Sequence, residues 1–287
     1  MLPVDARYST RVIEVTDPAD ARVADYHDVR EADLVGRRGI FIAEGEMVLR
    51  TLAERGRFRI RSVLLARSRV DKLGPWLDRL EPTVPIYVAD GAVMSTIAGF
   101  DIHRGVLAVG DRAEQPEPRQ LLDGLGPGPR LCVALAGLTN HDNVGGIFRS
   151  AAAFGVDAVL LDDRCCDPLY RKAIRVSIGA ALFLPFARAP SSAQLIHLLR
   201  DAGFTVLALS PRRDSVDIVS LRAPGQLPER VAWLLGTEGP GLSEPDLAAA
   251  DAVVRIAIHD EVDAINVATA TGIALHEFRS VYPLARR

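Results

Sequence analysis

The sequence predicts an α/β protein in two parts, a small α/β domain followed by a larger one built on a parallel sheet. Three observations predict it. Beyond residue 130 short apolar runs alternate with helical patterns, as βαβ units do. Runs such as 131–138 and 231–235 are near-continuous rather than alternating, which fits strands covered on both faces. Between the two parts, residues 113–130 carry Pro116, Pro118, Gly124, Gly126, Pro127, Gly128 and Pro129, which read as an interdomain linker.

Residues 1–112 form the first domain. They are polar and irregular to about Val35, with one helix expected over Ala19–Val29. Strands follow at 39–43, 59–66, 85–89 and 106–109. Helices fall between them at 46–54, 70–80 and 93–97, where Met47, Leu49, Leu52, Trp76 and Leu77 are among the apolar positions. The linker has room for one helical turn, around Gln120–Asp123. Residues 131–287 form the second domain. Its strands are expected near 131–138, 156–161, 182–187, 204–209, 231–236 and 253–258, and its helices near 144–154, 168–177, 192–202, 244–249 and 265–279.

At 287 residues the chain has room for two domains, and a net charge of −3 argues against bulk coating of nucleic acid. A local basic groove remains compatible with that charge. Positive charge is almost all arginine, with Lys72 and Lys172 the only lysines, and arginine pairs bidentately with phosphate. Cys132, Cys165 and Cys166 make neither a disulfide framework nor a zinc spacing, so no metal is expected. Met1–Val15 lacks a signal-peptide core, and no segment approaches the ~20 apolar residues of a membrane span. A cytoplasmic location is expected.

Three loops concentrate the chemistry. The first, Thr139–Gly146, follows an apolar strand and carries Asn140, His141, Asp142 and Asn143, with Arg149 in the helix beyond. Asp142 or Asn143 is placed to cap that helix, and Gly145 and Gly146 permit close approach of a backbone or ligand. Ligands on open parallel sheets bind where strands end and loops begin. The second loop, Gly236–Ser243, sets Gly236, Gly239 and Gly241 around Glu238 and precedes a helix that Ser243 can cap. It matches neither the dinucleotide fingerprint nor the P-loop, which disfavours a nucleotide-dependent dehydrogenase. The third loop, Asp263–Gly272, leads into the last helix through the small residues Ala268, Ala270 and Gly272.

Together, in this order, these loops resemble the three motifs of the SpoU (TrmH-like) RNA methyltransferases of the SPOUT superfamily, from about Leu131 to Phe278. Residues 36–110 also resemble the small ribosomal L30e-like substrate-binding domain that often precedes it, Phe41–Gly45 and Gly105–Val109 fitting its ends. The resemblance implies a parallel-sheet domain with a deep trefoil knot, a rare exception to ordinary chain topology. It implies S-adenosylmethionine held in the knotted loops, a homodimer, and 2′-O-methylation of RNA ribose. The two-domain layout favours rRNA, with tRNA open.

Carried over by residue, the resemblance makes Asn143, Arg149, Glu238 and Asn266 the catalytic set. It places the cofactor against Leu209, Ser210, Gly236, Thr237, Gly241, Ile256, Ile258, Ile265 and Ala268. A guanidinium resists deprotonation, so Arg149 is read as a phosphate clamp that stabilises developing alkoxide. RNA contacts are expected from His141 and from Arg59 and Arg61, which strand alternation puts on one face. One position departs from the motif: the third loop reads Ala264-Ile265-Asn266 where the family has Ser-Leu-Asn. The departure keeps open a second reading, a non-catalytic RNA-binding or ribosome-assembly factor on the same fold.

Overall fold

A computed structural model describes residues 12–27, 39–102 and 104–284. The chain divides into two compact units. One comprises residues 1–113 with 169–183, the other 114–168 with 184–287.

The first unit holds a five-stranded mixed sheet, β1 (Val12–Glu14), β2 (Ile40–Glu44), β3 (Ile60–Ala66), β4 (Ile86–Ala89) and β5 (Val106–Asp111), in the order β1-β4-β3-β5-β2. β3 runs parallel to β4 and antiparallel to β5. Its helices are α1 (Glu46–Arg55), α2 (Val70–Leu77) and α3 (Gly91–Ala98). One face of the sheet packs Ile40, Ile42, Leu64, Leu107 and Val109 against Met94, Ile97 and Tyr26. The Tyr26 hydroxyl is fully buried but shares a 2.8 Å hydrogen bond with Ser62, which meets the need of a buried polar group.

The sequence misplaced several elements here. The helix expected over Ala19–Val29 is a short 3-10 turn, Ala21–Tyr26, and residues 28 and 29 lie outside the described ones, as do 1–11 of the leader reading. β1 was not anticipated. It is three residues long and takes its register from β4, so it has no periodicity of its own to read. Helix α2 ends at Leu77 rather than residue 80.

The second unit is a seven-stranded, wholly parallel sheet. Its strands are β6 (Arg130–Ala136), β7 (Ala158–Asp162), β8 (Phe186–Ala189), β9 (Thr205–Leu209), β10 (Val216–Asp217), β11 (Arg230–Gly236) and β12 (Ala252–Arg255), in the order β10-β12-β9-β11-β6-β7-β8. The linker's expected turn is a short helix, α4 (Pro118–Asp123), which belongs to this unit. α5 (His141–Ala153), α7 (Ser192–Asp201), α8 (Glu244–Ala249) and α9 (Val267–Val281) complete it. α6 (Arg171–Val176) groups with the first unit, where Arg171 donates to the buried Glu44.

Helices on both faces explain the continuous apolar strands. α7 and α8 pack with Cys132, Ala134, Val206, Ala208, Ala232 and Leu234 in one core. Two predicted strands shift. The run at 182–187 begins as a 3-10 turn (Ala180–Leu182), and pairing starts only at Phe186. β12 stops at Arg255, so Ile256–Ile258 carry no ladder. Among the described residues no helix is long and apolar enough to cross a membrane.

Candidate active site

The site is built at the carboxyl ends of β9, β11 and β12. A cavity of about 550 Å³ lies there, within the ~300–1,000 Å³ typical of small-molecule sites. Its walls come from three stretches: Leu209–Arg212 after β9, Leu235–Leu242 around the end of β11, and Ile256, Ile258 and Ala264–Val267 after β12. The early end of β12 is what frees Ile256 and Ile258 to face it.

The second loop folds back on itself. Thr237 and Gly241 form an antiparallel bridge, with the Gly241 amide donating to the Thr237 carbonyl at 3.1 Å. Gly236 is required for this closure. A Cβ there would lie 2.4 Å from the Gly241 carbonyl carbon and the Leu242 nitrogen. Gly239 (φ 80°) and Gly241 (φ 71°) take left-handed conformations that favour glycine. Ser243 caps α8, accepting from the Asp246 amide at 3.2 Å and donating to its carboxylate at 2.6 Å.

The first loop is shorter than the sequence suggests. α5 begins at His141, and its cap is Asn140, whose Oδ1 accepts from the Asp142 amide at 2.8 Å; neither Asp142 nor Asn143 caps it. Asn143 lies in the first turn and is 5% exposed. The loop's entry is clamped by Asp162, whose Oδ1 accepts from the amides of Gly137 (2.9 Å) and Cys165 (3.1 Å).

The third loop ends at Asn266, the cap of α9. Its Oδ1 accepts from the amides of Ala268 (2.9 Å) and Thr269 (3.3 Å). Its Nδ2 donates to Asn143 Oδ1 at 2.8 Å. Two motif residues 123 positions apart are thus joined directly.

Of the residues expected to hold a cofactor, Leu209, Ser210, Gly236, Thr237, Gly241, Ile256, Ile258 and Ile265 line the cavity. Ala268 does not: it sits on α9 against Gly146 of α5. Glu238 and Asn266 line the cavity, and Asn143 touches it through Asn266. Arg149 is exposed and does not line the cavity. Six residues along a helix is a rotation that leaves it about 120° around α5 from Asn143. In the first unit Arg59 and Arg61 are both exposed, as alternation predicts, but Arg61 is bound to Asp25 (2.9 Å) and Asp111 (2.6 Å). His141 is half-buried at the start of α5. The sequence reading missed Pro211, Arg212 and Glu244 on the cavity wall. Arg212 pairs with Glu244 there, and no motif marks either residue.

Comparison with known proteins matches this architecture. The model of the SpoU rRNA Methylase family aligns with residues 130–276, more than half of the chain. The chain belongs to the SpoU rRNA methylase family. A family relative, an uncharacterised tRNA/rRNA methyltransferase of Mycobacterium tuberculosis, is 37% identical over 270 residues, 93% of this chain and 91% of that protein. A 23S rRNA (guanosine-2′-O-)-methyltransferase of Salmonella typhimurium is 29% identical over 237 residues, 81% of this chain and 95% of that protein. Among solved structures, an AdoMet-bound rRNA methyltransferase of Sinorhizobium meliloti superposes with a TM-score of 0.78 at 27% identity, covering 96% of this chain and all of that one. Membership accounts for the parallel sheet and for the clustering of all three loops on one unit.

Proposed function

We propose that this chain transfers a methyl group from S-adenosylmethionine to a ribose 2′-hydroxyl of RNA, with rRNA the favoured substrate. The observation that carries the reading is the single cavity walled by the second and third loops and joined to the first by the Asn143–Asn266 bond. Its lining fits the cofactor. Leu209, Leu235, Ile256, Ile258 and Ile265 offer apolar surface for a purine, and the strand ends offer backbone donors and acceptors. Glu238 supplies a carboxylate to a ligand that carries sulfonium and ammonium charge. Bound there, the cofactor brings an electrophilic methyl on sulfur.

The chain's own part is alignment, because an in-line displacement gains several kcal/mol from well-held reactants. Asn266 lines the cavity, and Asn143 stands behind it through their shared hydrogen bond. Arg149, exposed and turned away from Asn143, is suited to an RNA phosphate. Its separation from this cavity supports a homodimer in which Arg149 serves the site completed at the subunit interface. The knot expected of the family belongs to the same proposal, as do the RNA contacts assigned to Arg59, Arg61 and His141. With two carboxylates on Arg61, Arg59 is the stronger RNA contact of the pair.

Ala264, on the cavity wall where the family has serine, favours the second reading, an RNA-binding assembly factor that keeps the pocket. Labelled methyl transfer decides between them. Total RNA from a strain lacking this protein is incubated with the chain and methyl-tritiated cofactor, then hydrolysed with alkali. Label in alkali-resistant dinucleotides establishes ribose methylation. No incorporation, with cofactor binding intact by calorimetry, establishes the second reading.

A further inference from the structure

The amide of Asn143 is only half used. Its Oδ1 accepts from Asn266, while its Nδ2 is buried with no partner in the chain. The orientation is dictated from α9. Asn266 commits its Oδ1 to the amides of Ala268 and Thr269 as a helix cap, so only its Nδ2 remains to face Asn143. Asn143 must therefore answer with its oxygen, and its own NH₂ is left over. Turning either amide over would set oxygen against oxygen or nitrogen against nitrogen, or uncap α9.

The distance between the two amides is set close by. Asn143 and Gly146 are one turn apart on α5, and Asn266 caps the helix that carries Ala268. A Cβ on Gly146 would sit 2.9 Å from the Ala268 Cβ, too close without a shift of one helix. One turn on, the corresponding contact is Ser150 against Gly272, where a Cβ on Gly272 would meet Ser150 Oγ at 3.7 Å. The absence of a side chain at Gly146 is what lets the 2.8 Å bond form.

We propose that Asn266 and the Gly146–Ala268 contact are positioning elements that reserve the Asn143 Nδ2 hydrogens for an acceptor oxygen of the RNA at the methyl-transfer site. The proposal rests on the RNA methyltransferase reading. Asn143 does not line the cavity that fits the cofactor, so the acceptor is assigned to the RNA.

Three variants test it: Asn143→Asp, Gly146→Ala and the double variant Gly146→Ala/Ala268→Gly. N143D keeps an acceptor for Asn266, removes the NH₂ donor and adds a carboxylate charge. Methyl transfer to total RNA from the lacking strain is measured with cofactor affinity by calorimetry and kcat separated from KM. Misplacement on the ångström scale costs up to about a hundredfold, so G146A is expected to lower kcat at least about tenfold with cofactor affinity unchanged within about twofold. The double variant, which moves the methyl group's space to the other helix, recovers most of the loss. N143D loses turnover to a similar degree with cofactor affinity intact. An active wild type with N143D equally active overturns the proposal alone, as does a double variant no better than G146A. A wild type that binds cofactor and methylates no RNA overturns the function reading and the proposal with it.

Discussion

Replacing Asp162 by alanine tests how the first loop is held. Asp162 is fully buried at the end of β7. Its Oδ1 accepts from the amides of Gly137 and Cys165, and its Oδ2 from the Arg164 guanidinium at 3.0 and 3.1 Å. An amide left buried without an acceptor costs about 1–3 kcal/mol. The Cys165 amide is buried and bears the full penalty, whereas Gly137 is half-buried and recovers part of it from water. The Arg164 side chain is 64% exposed, so that ion pair adds only tenths of a kcal/mol after screening. Asp162→Ala should therefore destabilise the second unit by about 2–4 kcal/mol, and lower its urea midpoint by roughly 1 M or more. Trp233 is buried in that unit, and with Trp76 changed to phenylalanine it is the sole fluorophore of its kind. Asp162→Asn is the control. Its carboxamide oxygen keeps both amides satisfied, so it should cost under about 1 kcal/mol. Equal losses for the two variants would refute the reasoning, because charge rather than acceptor satisfaction would then hold the loop.

Other positions give equally direct tests. Ile178 follows α6 in a left-handed conformation (φ 52°), with the Ile178 and Gly179 amides closing on Arg175 and Ile174, the position where helices favour glycine. Ile178→Gly should therefore be more stable than Ile178→Ala by about 0.5–1 kcal/mol, the reverse of the order inside a helix, and paired urea titrations read the sign. Glu277 is buried against Arg222, which holds its carboxyl below the ordinary 4.5. A depressed folded pKa contributes stability that is present above 4.5 and lost as pH falls through the folded value. The gap in urea midpoint between wild type and Arg222→Met should accordingly be constant near neutrality and close in acid. Burial pushes the thiols of Cys165 and Cys166 up to about 12 and raises Cys132 as well. Iodoacetamide at neutral pH should leave all three unmodified in the folded chain and alkylate all three in urea, counted by mass spectrometry.

The parallel sheet was legible because each of its long strands is a continuous apolar run, and Val231–Leu235 at its centre is the plainest case. The edges were not. β1 and β10 have three residues and two, and their pairing is supplied by β4 and β12 rather than by their own pattern. The cavity-lining residues inside the family motifs were legible, whereas Pro211, Arg212 and Glu244, which no motif marks, were not. The caps were less so. Asp142 and Asn143 look as able to cap as Asn140, and the choice depends on where α5 packs, which no local window contains. The Asn143–Asn266 bond was unreadable for the same reason: it is created by the crossing of two helices 123 residues apart. Ala268 was expected beside its motif neighbours, which line the cavity, but a helix turns its successive residues to different faces. Its face meets Gly146.

Exposure separates Ala264 from Asn143. Ala264 is exposed on the cavity wall, so water can take the place of a missing hydroxyl there. Asn143 is different. An unmatched buried donor costs about 1–3 kcal/mol, and an apolar residue of similar shape would remove that cost. A chain that only needed the fold would be more stable with such a residue, since natural sequences lie well short of their stability optimum and concede stability where function requires it. The conceded energy sits at the amide, not at the rim. The buried Asn143 amide, more than Ala264, is the position at which turnover is tested.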